Sequence, residues 1–129
     1  MFKDNHYHGQ GLLRYDHDIV YKGSFLKSKR HGEGFIDYPT IHIHYLGTWK
    51  NDQFNGHGKL TSDKEGAEFI YEGTFKNNLF HGSGTLKFNE IVYEGVWVNG
   101  FCEYGVVKEG ILKDILGIVV FKKSLRFEF

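Results

Sequence analysis

Histidine is the residue type with the widest chemical scope in this chain, because eight are present and a neutral imidazole is a common metal ligand. His8, His31 and His81 stand at equivalent places of a recurring pattern, and Asn55 stands at the remaining one. If each copy contributes two strands, neighbouring equivalents lie roughly 9–10 Å apart, whereas zinc holds its nitrogen ligands at about 2.0–2.1 Å. We therefore expect these histidines to form hydrogen bonds rather than a metal site.

A second histidine pair, His42 and His44, is separated by one residue. Alternation along a strand would place both imidazoles on one face. The pair follows Tyr38 and Pro39 in an insertion of the pattern. Two imidazoles without a neighbouring cysteine or a carboxylate cluster do not make a metal site, so we expect no metal and no cofactor.

The candidates for a catalytic nucleophile are also weak. Cys102 is the single cysteine, and no histidine is evidently paired with it. No serine or threonine stands in a nucleophile elbow, and no glycine-rich phosphate loop precedes a helix. We predict that the chain is not an enzyme and has no catalytic residues. A lone cysteine also fits a reducing, cytoplasmic compartment, and the longest apolar run, residues 115–121, is far below the ~20 residues of a membrane span.

The charged residues balance, with 16 basic and 16 acidic side chains. Nucleic-acid binders usually carry a basic excess, so no nucleic-acid partner is expected. Lys27, Lys29 and Arg30 form a basic turn that is a candidate contact for an acidic phospholipid, and a second basic cluster lies at residues 122–126. Each cation near an anionic membrane contributes only about 1 kcal/mol, so a solvated turn is the favoured interpretation.

Glycine and aromatic residues indicate the fold class. The chain has 17 glycines and one proline, with 8 Tyr, 12 Phe and 2 Trp, which favours an all-β protein over a disordered or collagen-like chain. A ring–glycine pattern starts four times, at Tyr21-Lys22-Gly23-Ser24-Phe25, Tyr45-Leu46-Gly47-Thr48-Trp49, Tyr71-Glu72-Gly73-Thr74-Phe75 and Tyr93-Glu94-Gly95-Val96-Trp97. Three starts are followed by a second half, His31-Gly32-Glu33-Gly34, Asn55-Gly56-His57-Gly58 and His81-Gly82-Ser83-Gly84. Ring positions Phe2, Phe25, Trp49, Phe75 and Trp97 recur every 22 to 26 residues.

Each copy of the pattern is predicted to be a β-hairpin. Alternation places Tyr71, Gly73 and Phe75 on one face of a strand, as it does Gly82 and Gly84. Rings of one strand can then lie over the bare glycine backbone of the next. Burying a ring removes about 150–250 Å² from water, which outweighs a glycine penalty of roughly 0.5–1 kcal/mol. The pattern predicts an elongated, single-layer antiparallel sheet of consecutive hairpins.

This pattern closely resembles the MORN (membrane occupation and recognition nexus) repeat over roughly residues 2–101. The predicted array covers residues 1–103, with a half repeat at 2–20, repeats at 21–44, 45–70 and 71–92, and a degenerate copy at 93–103. The resemblance implies a non-enzymatic scaffold or adaptor, in cytoskeletal, ciliary or membrane-associated assemblies. It also offers an alternative function, binding of acidic phospholipids such as phosphoinositides.

A single-layer sheet can bury one face only against its own rings, so we expect a partly exposed, ring-lined groove. A helix or an extended peptide of another protein would be its ligand. The alternative is that the rings are used up in packing. The predicted groove residues are Tyr21, Phe25, Tyr45, Trp49, Tyr71, Phe75, Tyr93 and Trp97.

Both ends of the array leave alternatives open. The N-terminal strand that carries Phe2 is short, and it either frays or pairs with a second copy or another protein, which would give end-to-end association. At the other end, residues 104–129 are predicted to form a strand-rich cap that finishes in a hairpin. A short helix at residues 109–116 competes with that prediction, because its apolar residues also have helical spacing.

Overall fold

The structure, a computed structural model, describes residues 2–3, 6–88, 90–109 and 119–121, and the side chains of residues 8–88 and 90–100. Twelve strands make up most of these ranges, with two short 3-10 turns at Asp16–Asp18 and Pro39–Ile41. The strands are β1 (Phe2–Lys3), β2 (His6–Tyr7), β3 (Gly9–Arg14), β4 (Val20–Leu26), β5 (Lys29–Tyr38), β6 (Ile43–Lys50), β7 (Gln53–Ser62), β8 (Phe69–Lys76), β9 (Leu79–Phe88), β10 (Ile91–Val98), β11 (Phe101–Glu109) and β12 (Val119–Phe121).

Strands β3 to β12 form one antiparallel ten-stranded sheet, and β1 and β2 form a separate small hairpin. Each strand of the large sheet pairs with its neighbours in the chain, so the order in the sheet equals the order in the sequence. The end strands β3 and β12 do not pair with each other, and the sheet is therefore open. The predicted all-β sheet of consecutive hairpins is confirmed.

The predicted C-terminal cap is described only in part. Strand β11 ends at Glu109 and pairs with β10, and β12 pairs with β11. The rest of the competing helix, at residues 110–116, lies outside the described residues. The second strand of the final hairpin and the basic cluster at residues 122–126 lie outside them too.

The strands of each copy are joined by two-residue turns in which both residues have positive φ. Tight hairpin turns of this hand match the twist of the flanking strands. Asparagine, aspartate and glycine tolerate such a backbone at low cost, and they fill three of the four turns. The turns are Lys27-Ser28, Asn51-Asp52, Asn77-Asn78 and Asn99-Gly100.

A row of glycines crosses the sheet from β3 to β11. In eight consecutive strand pairs, a glycine lies directly opposite a glycine. A Cβ at Gly23, Gly47 or Gly73 would lie 2.5 Å from the Cα of the glycine opposite, far inside an ordinary carbon–carbon contact of about 3.5–4.0 Å. This glycine row consists of Gly11, Gly23, Gly34, Gly47, Gly58, Gly73, Gly84, Gly95 and Gly105.

Tyrosine rings lie over the glycine row. The ring of Tyr71 occupies the space that a Cβ would need at Gly84, and its hydroxyl donates a hydrogen bond of 3.0 Å to the carbonyl oxygen of Thr74. Tyr21 and Tyr45 repeat this arrangement, with equivalent hydrogen bonds of 2.8 Å. The prediction that glycines make room for rings is confirmed for Gly34, Gly58 and Gly84.

The other repeat glycines have a different physical reason. Gly32, Gly56 and Gly82 have φ values of +82°, +92° and +92°, which residues with a Cβ rarely adopt. They lie in β5, β7 and β9 where the hairpin register shifts at a bulge. The sequence-based explanation, that the repeat glycines leave room for rings, is therefore incomplete: this second set allows the backbone to turn.

Candidate functional site

The eight rings predicted to line a groove share one face of the sheet, and seven of them are buried. Each of these seven has at most 6% of its surface exposed, and Tyr93 is half-buried. The expectation of a partly exposed ring-lined groove is therefore wrong for those seven. The buried rings are Tyr21, Phe25, Tyr45, Trp49, Tyr71, Phe75 and Trp97.

Rings from successive repeats cover one another, which explains the burial. The ring of Tyr45 stacks on Phe54 with centroids 4.0 Å apart, and it meets the edges of Trp49 at 5.3 Å and Phe75 at 5.1 Å. Phe54 and its equivalent Phe80 come from the second strands of their hairpins and were not among the predicted rings. These side chains form the core of a sheet that has no second layer among the described residues, and a role for the rings in partner binding stays a prediction.

The tyrosine hydroxyls of this core are neutral donors at physiological pH. Burial raises the pKa of Tyr21 to about 12, although the nearby charge of Arg30 partly opposes the shift. Burial also raises the pKa of Tyr45 above its ordinary value. Since each hydroxyl already donates to a backbone carbonyl, these groups act in structure rather than in acid–base chemistry.

Arg30 is part of the core face, and its role as a lipid contact stays a prediction. It stands in β5 at the place where later repeats carry phenylalanine. Its guanidinium carbon lies 4.9 Å from the ring centre of Trp49, and its Nε lies 3.1 Å from Oδ1 of Asp52. A headgroup would have to displace both contacts, so only Lys27 and Lys29 of the predicted lipid cluster are exposed cations.

Each of two hairpin turns binds the repeat before it through an Asp or Asn side chain. Oδ1 of Asp52 accepts a hydrogen bond of 2.7 Å from the backbone N–H of Arg30, and Oδ1 of Asn78 accepts one of 2.8 Å from that of Phe54. The backbone N–H groups of the same turn residues donate back to the carbonyls of Arg30 and Phe54, at 3.0 and 3.1 Å. The sequence analysis predicts only turn formation for asparagine. The recurrence of Asp or Asn at the second turn position also indicates a hydrogen bond to the preceding repeat.

Two of the repeat histidines bind the next turn along the array. Nδ1 of His8 accepts a hydrogen bond of 3.3 Å from the backbone N–H of Lys27, and Nδ1 of His81 accepts one of 3.2 Å from that of Asn99. The predicted hydrogen-bonding role is confirmed for His8 and His81.

The histidine pair in the insertion does not form the arrangement predicted for it. His42 has φ +58° and precedes β6. Its Nδ1 lies 3.5 Å from Oδ1 of Asp63. His44 lies within β6, with its ring centre 5.9 Å from that of Phe35. The prediction that a strand places both imidazoles on one face is wrong, because the left-handed backbone of His42 lies outside the strand.

The described part of the chain shows no metal-binding group among its side chains and no membrane-spanning segment among its helices. Among its side chains, no group of three or more histidine, cysteine, aspartate or glutamate residues could hold a metal ion. No helix there is long and apolar enough to cross a membrane. The side chain of Cys102 lies outside the described set, so the prediction that it is not a catalytic nucleophile stays a prediction.

The face opposite the rings carries a row of side chains, one beside each of the first eight glycines of the glycine row, Gly11 to Gly95. In β3 to β7 cross-strand pairing aligns Leu12, Lys22, Phe35, Leu46 and Lys59. Leu12 is 56% exposed, Phe35 37% and Leu46 55%. This half of the row is therefore apolar and basic.

The same row continues across β8 to β10 with polar and acidic residues, Glu72, Thr85 and Glu94. We call all eight residues the outer-face row. Sequence reasoning missed it, although each member stands next to a glycine of the pattern and alternation must place it on the opposite face.

Comparison with known proteins bears on the repeat. The family model described as MORN repeat matches residues 1–16, 21–40, 45–66, 71–90 and 93–106, which is well over half of the chain. Four of these matches begin at the tyrosines of the ring–glycine pattern, Tyr21, Tyr45, Tyr71 and Tyr93. A search of curated proteins found no matching relative. The chain belongs to the MORN repeat family.

Proposed function

We propose that this chain is a non-enzymatic scaffold that binds another protein, and that the apolar half of the outer-face row is its contact surface. One observation carries the proposal: Leu12, Phe35 and Leu46 are exposed and lie in one cross-strand line. With strands about 4.8 Å apart, the line from β3 to β6 is roughly 14 Å long. Phe35 and Leu46 are direct neighbours in this line, and large apolar side chains exposed together usually mark an interaction site.

The charges beside this line indicate the chemistry of the partner. Lys22 lies between Leu12 and Phe35, and Lys59 follows Leu46. A helix or extended peptide with apolar side chains and flanking carboxylates complements this surface. Apolar burial would supply most of the affinity, and the exposed cations would supply orientation and association rate.

Membership of the family supports an interaction with a protein or a membrane. We extend the proposal to an assembly at the cytoskeleton, a cilium or a membrane. The lipid alternative rests on fewer groups than the sequence indicated, since Arg30 is engaged with Asp52. Fluorescence microscopy of the tagged chain in its native cell tests the location.

The contact surface is tested by capture of the partner from extract of the native cell. The double variant Leu12→Ser, Leu46→Ser should lower capture at least tenfold and should fold normally, because exposed positions tolerate substitution within about 0.5 kcal/mol. The matched control is Val96→Ser, at an apolar position on the same face that is 45% exposed but lies in the acidic half. Full capture by the double variant would overturn this surface. Binding to anionic vesicles that Lys27→Gln with Lys29→Gln abolishes would instead favour the lipid function.

A further inference from the structure

The tight turns and the longer links between strands lie at opposite sides of the sheet. Because the strands are antiparallel and follow chain order, every second connection lies on the same side. The turns after β4, β6, β8 and β10 make up one side, which we call the turn side. The links after β3, β5, β7 and β9 make up the other, the link side, at residues 15–19, 39–42, 63–68 and 90.

The turn side is basic. Its charged residues, counting the turns and the strand residue on either side of each, are four exposed lysines and Asp52. Asp52 is engaged with Arg30, so the lysines determine the charge of this side. None of the four forms an ion pair with another described residue. They are Lys27, Lys29, Lys50 and Lys76.

The link side is acidic. It carries six exposed carboxylates and a single lysine, Lys64. Asp63 lies beside His42, and the other five carboxylates form no ion pair with the described residues. The six are Asp16, Asp18, Asp63, Glu65, Glu68 and Glu90. A chain with no net charge therefore has its exposed charges separated across the width of the sheet.

The two sides also share one spacing. Consecutive turns are two strands apart, roughly 10 Å, and so are consecutive links. Three of the four turns carry lysines and three of the four links carry carboxylates. Since one hairpin period sets both spacings, the lysines of one copy and the carboxylates of another recur at matching intervals. A partner without this repeat has no such match.

From the opposite charge and the common spacing of the two sides we infer that copies of this chain associate side by side. The turn side of one copy lies against the link side of the next. The contact joins two different surfaces, so each copy keeps one unused side of each sign, and a contact of this kind can continue into an open row. The outer-face row lies in the middle of the strands and is separate from both sides.

Exposed ion pairs are individually weak and are screened by salt, so the association should depend on ionic strength. Sedimentation velocity of the full chain should show concentration-dependent association at about 0.01 M salt, where the screening length is about 30 Å. The association should be lost at about 1 M salt, where that length is about 3 Å.

Two double variants test the two sides. Lys50→Glu with Lys76→Glu changes the turn side, and Glu65→Lys with Glu68→Lys changes the link side. Each should weaken association at least tenfold. A mixture of the two variants should associate again, because the first keeps the native link side and the second keeps the native turn side.

The matched control is Lys22→Glu with Lys59→Glu, which changes the net charge as much as the turn-side variant does but lies in the outer-face row. It should associate like the unchanged chain. Equal weakening by this control, or a chain that stays monomeric at about 0.01 M salt, would overturn the inference. A monomeric chain that binds vesicles of anionic phospholipid, with loss of binding in the turn-side variant, would assign the turn side to a membrane instead.

Discussion

One cross-strand pair of the glycine row allows the role of the ring to be separated from the role of the backbone. Gly73 in β8 faces Gly84 in β9. A Cβ at Gly73 would lie 2.5 Å from the Cα of Gly84 and from the carbonyl oxygen of Ser83, whereas the atoms nearest to a Cβ at Gly84 belong to the ring of Tyr71. A side chain can be replaced, but the paired backbone cannot move away without opening the sheet.

These contacts set the expected magnitudes. Overpacking a core costs typically about 1–3 kcal/mol, so Gly73→Ala and Gly84→Ala should each lower stability by at least about 2 kcal/mol. Tyr71→Leu alone loses ring burial and a hydrogen bond. Combined with Gly84→Ala it also removes the overlap, so the double variant should be more stable than additivity predicts by at least about 1 kcal/mol. The double variant Tyr71→Leu, Gly73→Ala keeps the overlap with the backbone of Gly84. Its stability should therefore depart less from additivity than that of Tyr71→Leu, Gly84→Ala.

Stability is read from urea unfolding followed by tryptophan fluorescence. Repeat arrays need not unfold in one step, so hydrogen exchange at the amides of β8 and β9 should be measured as well. Gly66→Ala is a comparison without steric overlap, because no heavy atom lies within 4 Å of an added Cβ, although its φ of +83° adds a backbone penalty that Gly84→Ala does not have. If Gly84→Ala cost no more than this control, or if Tyr71→Leu gave no relief, the account of the glycine row would be refuted.

Three further predictions concern the core and the turns. The indole N–H of Trp49 donates a 3.0 Å hydrogen bond, whereas that of Trp97 is buried with no acceptor among the described residues, so Trp49→Phe should lower stability in urea by about 1–2 kcal/mol more than Trp97→Phe; equal losses would contradict this. Asn78→Gly keeps the turn backbone but removes the 2.8 Å bond to the preceding repeat, and thermal unfolding should show a loss of about 1 kcal/mol that Asn77→Gly in the same turn does not share. The folded pKa of Tyr21 is about 12 against about 10 unfolded, so its contribution to stability is complete below pH 10 and is lost as the pH rises towards 12. Tyr21→Phe should reduce this alkaline loss in circular dichroism, and an unchanged pH profile would exclude the assignment.

The hairpin array could be predicted because its causes are local and periodic. The spacing of Tyr71, Gly73 and Phe75 determines the face of the sheet on which each side chain lies. The recurrence of this spacing along the chain determines the order of the strands. The packing of a tyrosine ring against a glycine of the neighbouring strand follows from the same alternation. The residue type of Asn77 and Asn78 also predicts their left-handed backbone, because asparagine tolerates positive φ.

The predictions that were wrong or incomplete depend on contacts between repeats. Burial of Tyr45 is completed by Phe54 from its own hairpin and Phe75 from the next, and no single copy of the pattern shows how much surface they cover. The lysines around Arg30 predict a basic turn, but the two-residue turn pairs Arg30 with Phe25 and so places it at a ring position. The sequence analysis gives Gly82 and Gly84 the same role, room for a ring. The residue types do not reveal the bulge at Gly82.

The identity of strand order and chain order has a mechanical consequence. If the chain is held at both ends, the load acts across the strands of β3 to β12 and falls on the outermost pair first. Hairpins would then peel away one after another instead of shearing together. Each copy of 22 to 26 residues would release roughly 80 Å of chain at about 3.3–3.6 Å per residue, so an array held at both ends would lengthen in small steps as the load rises.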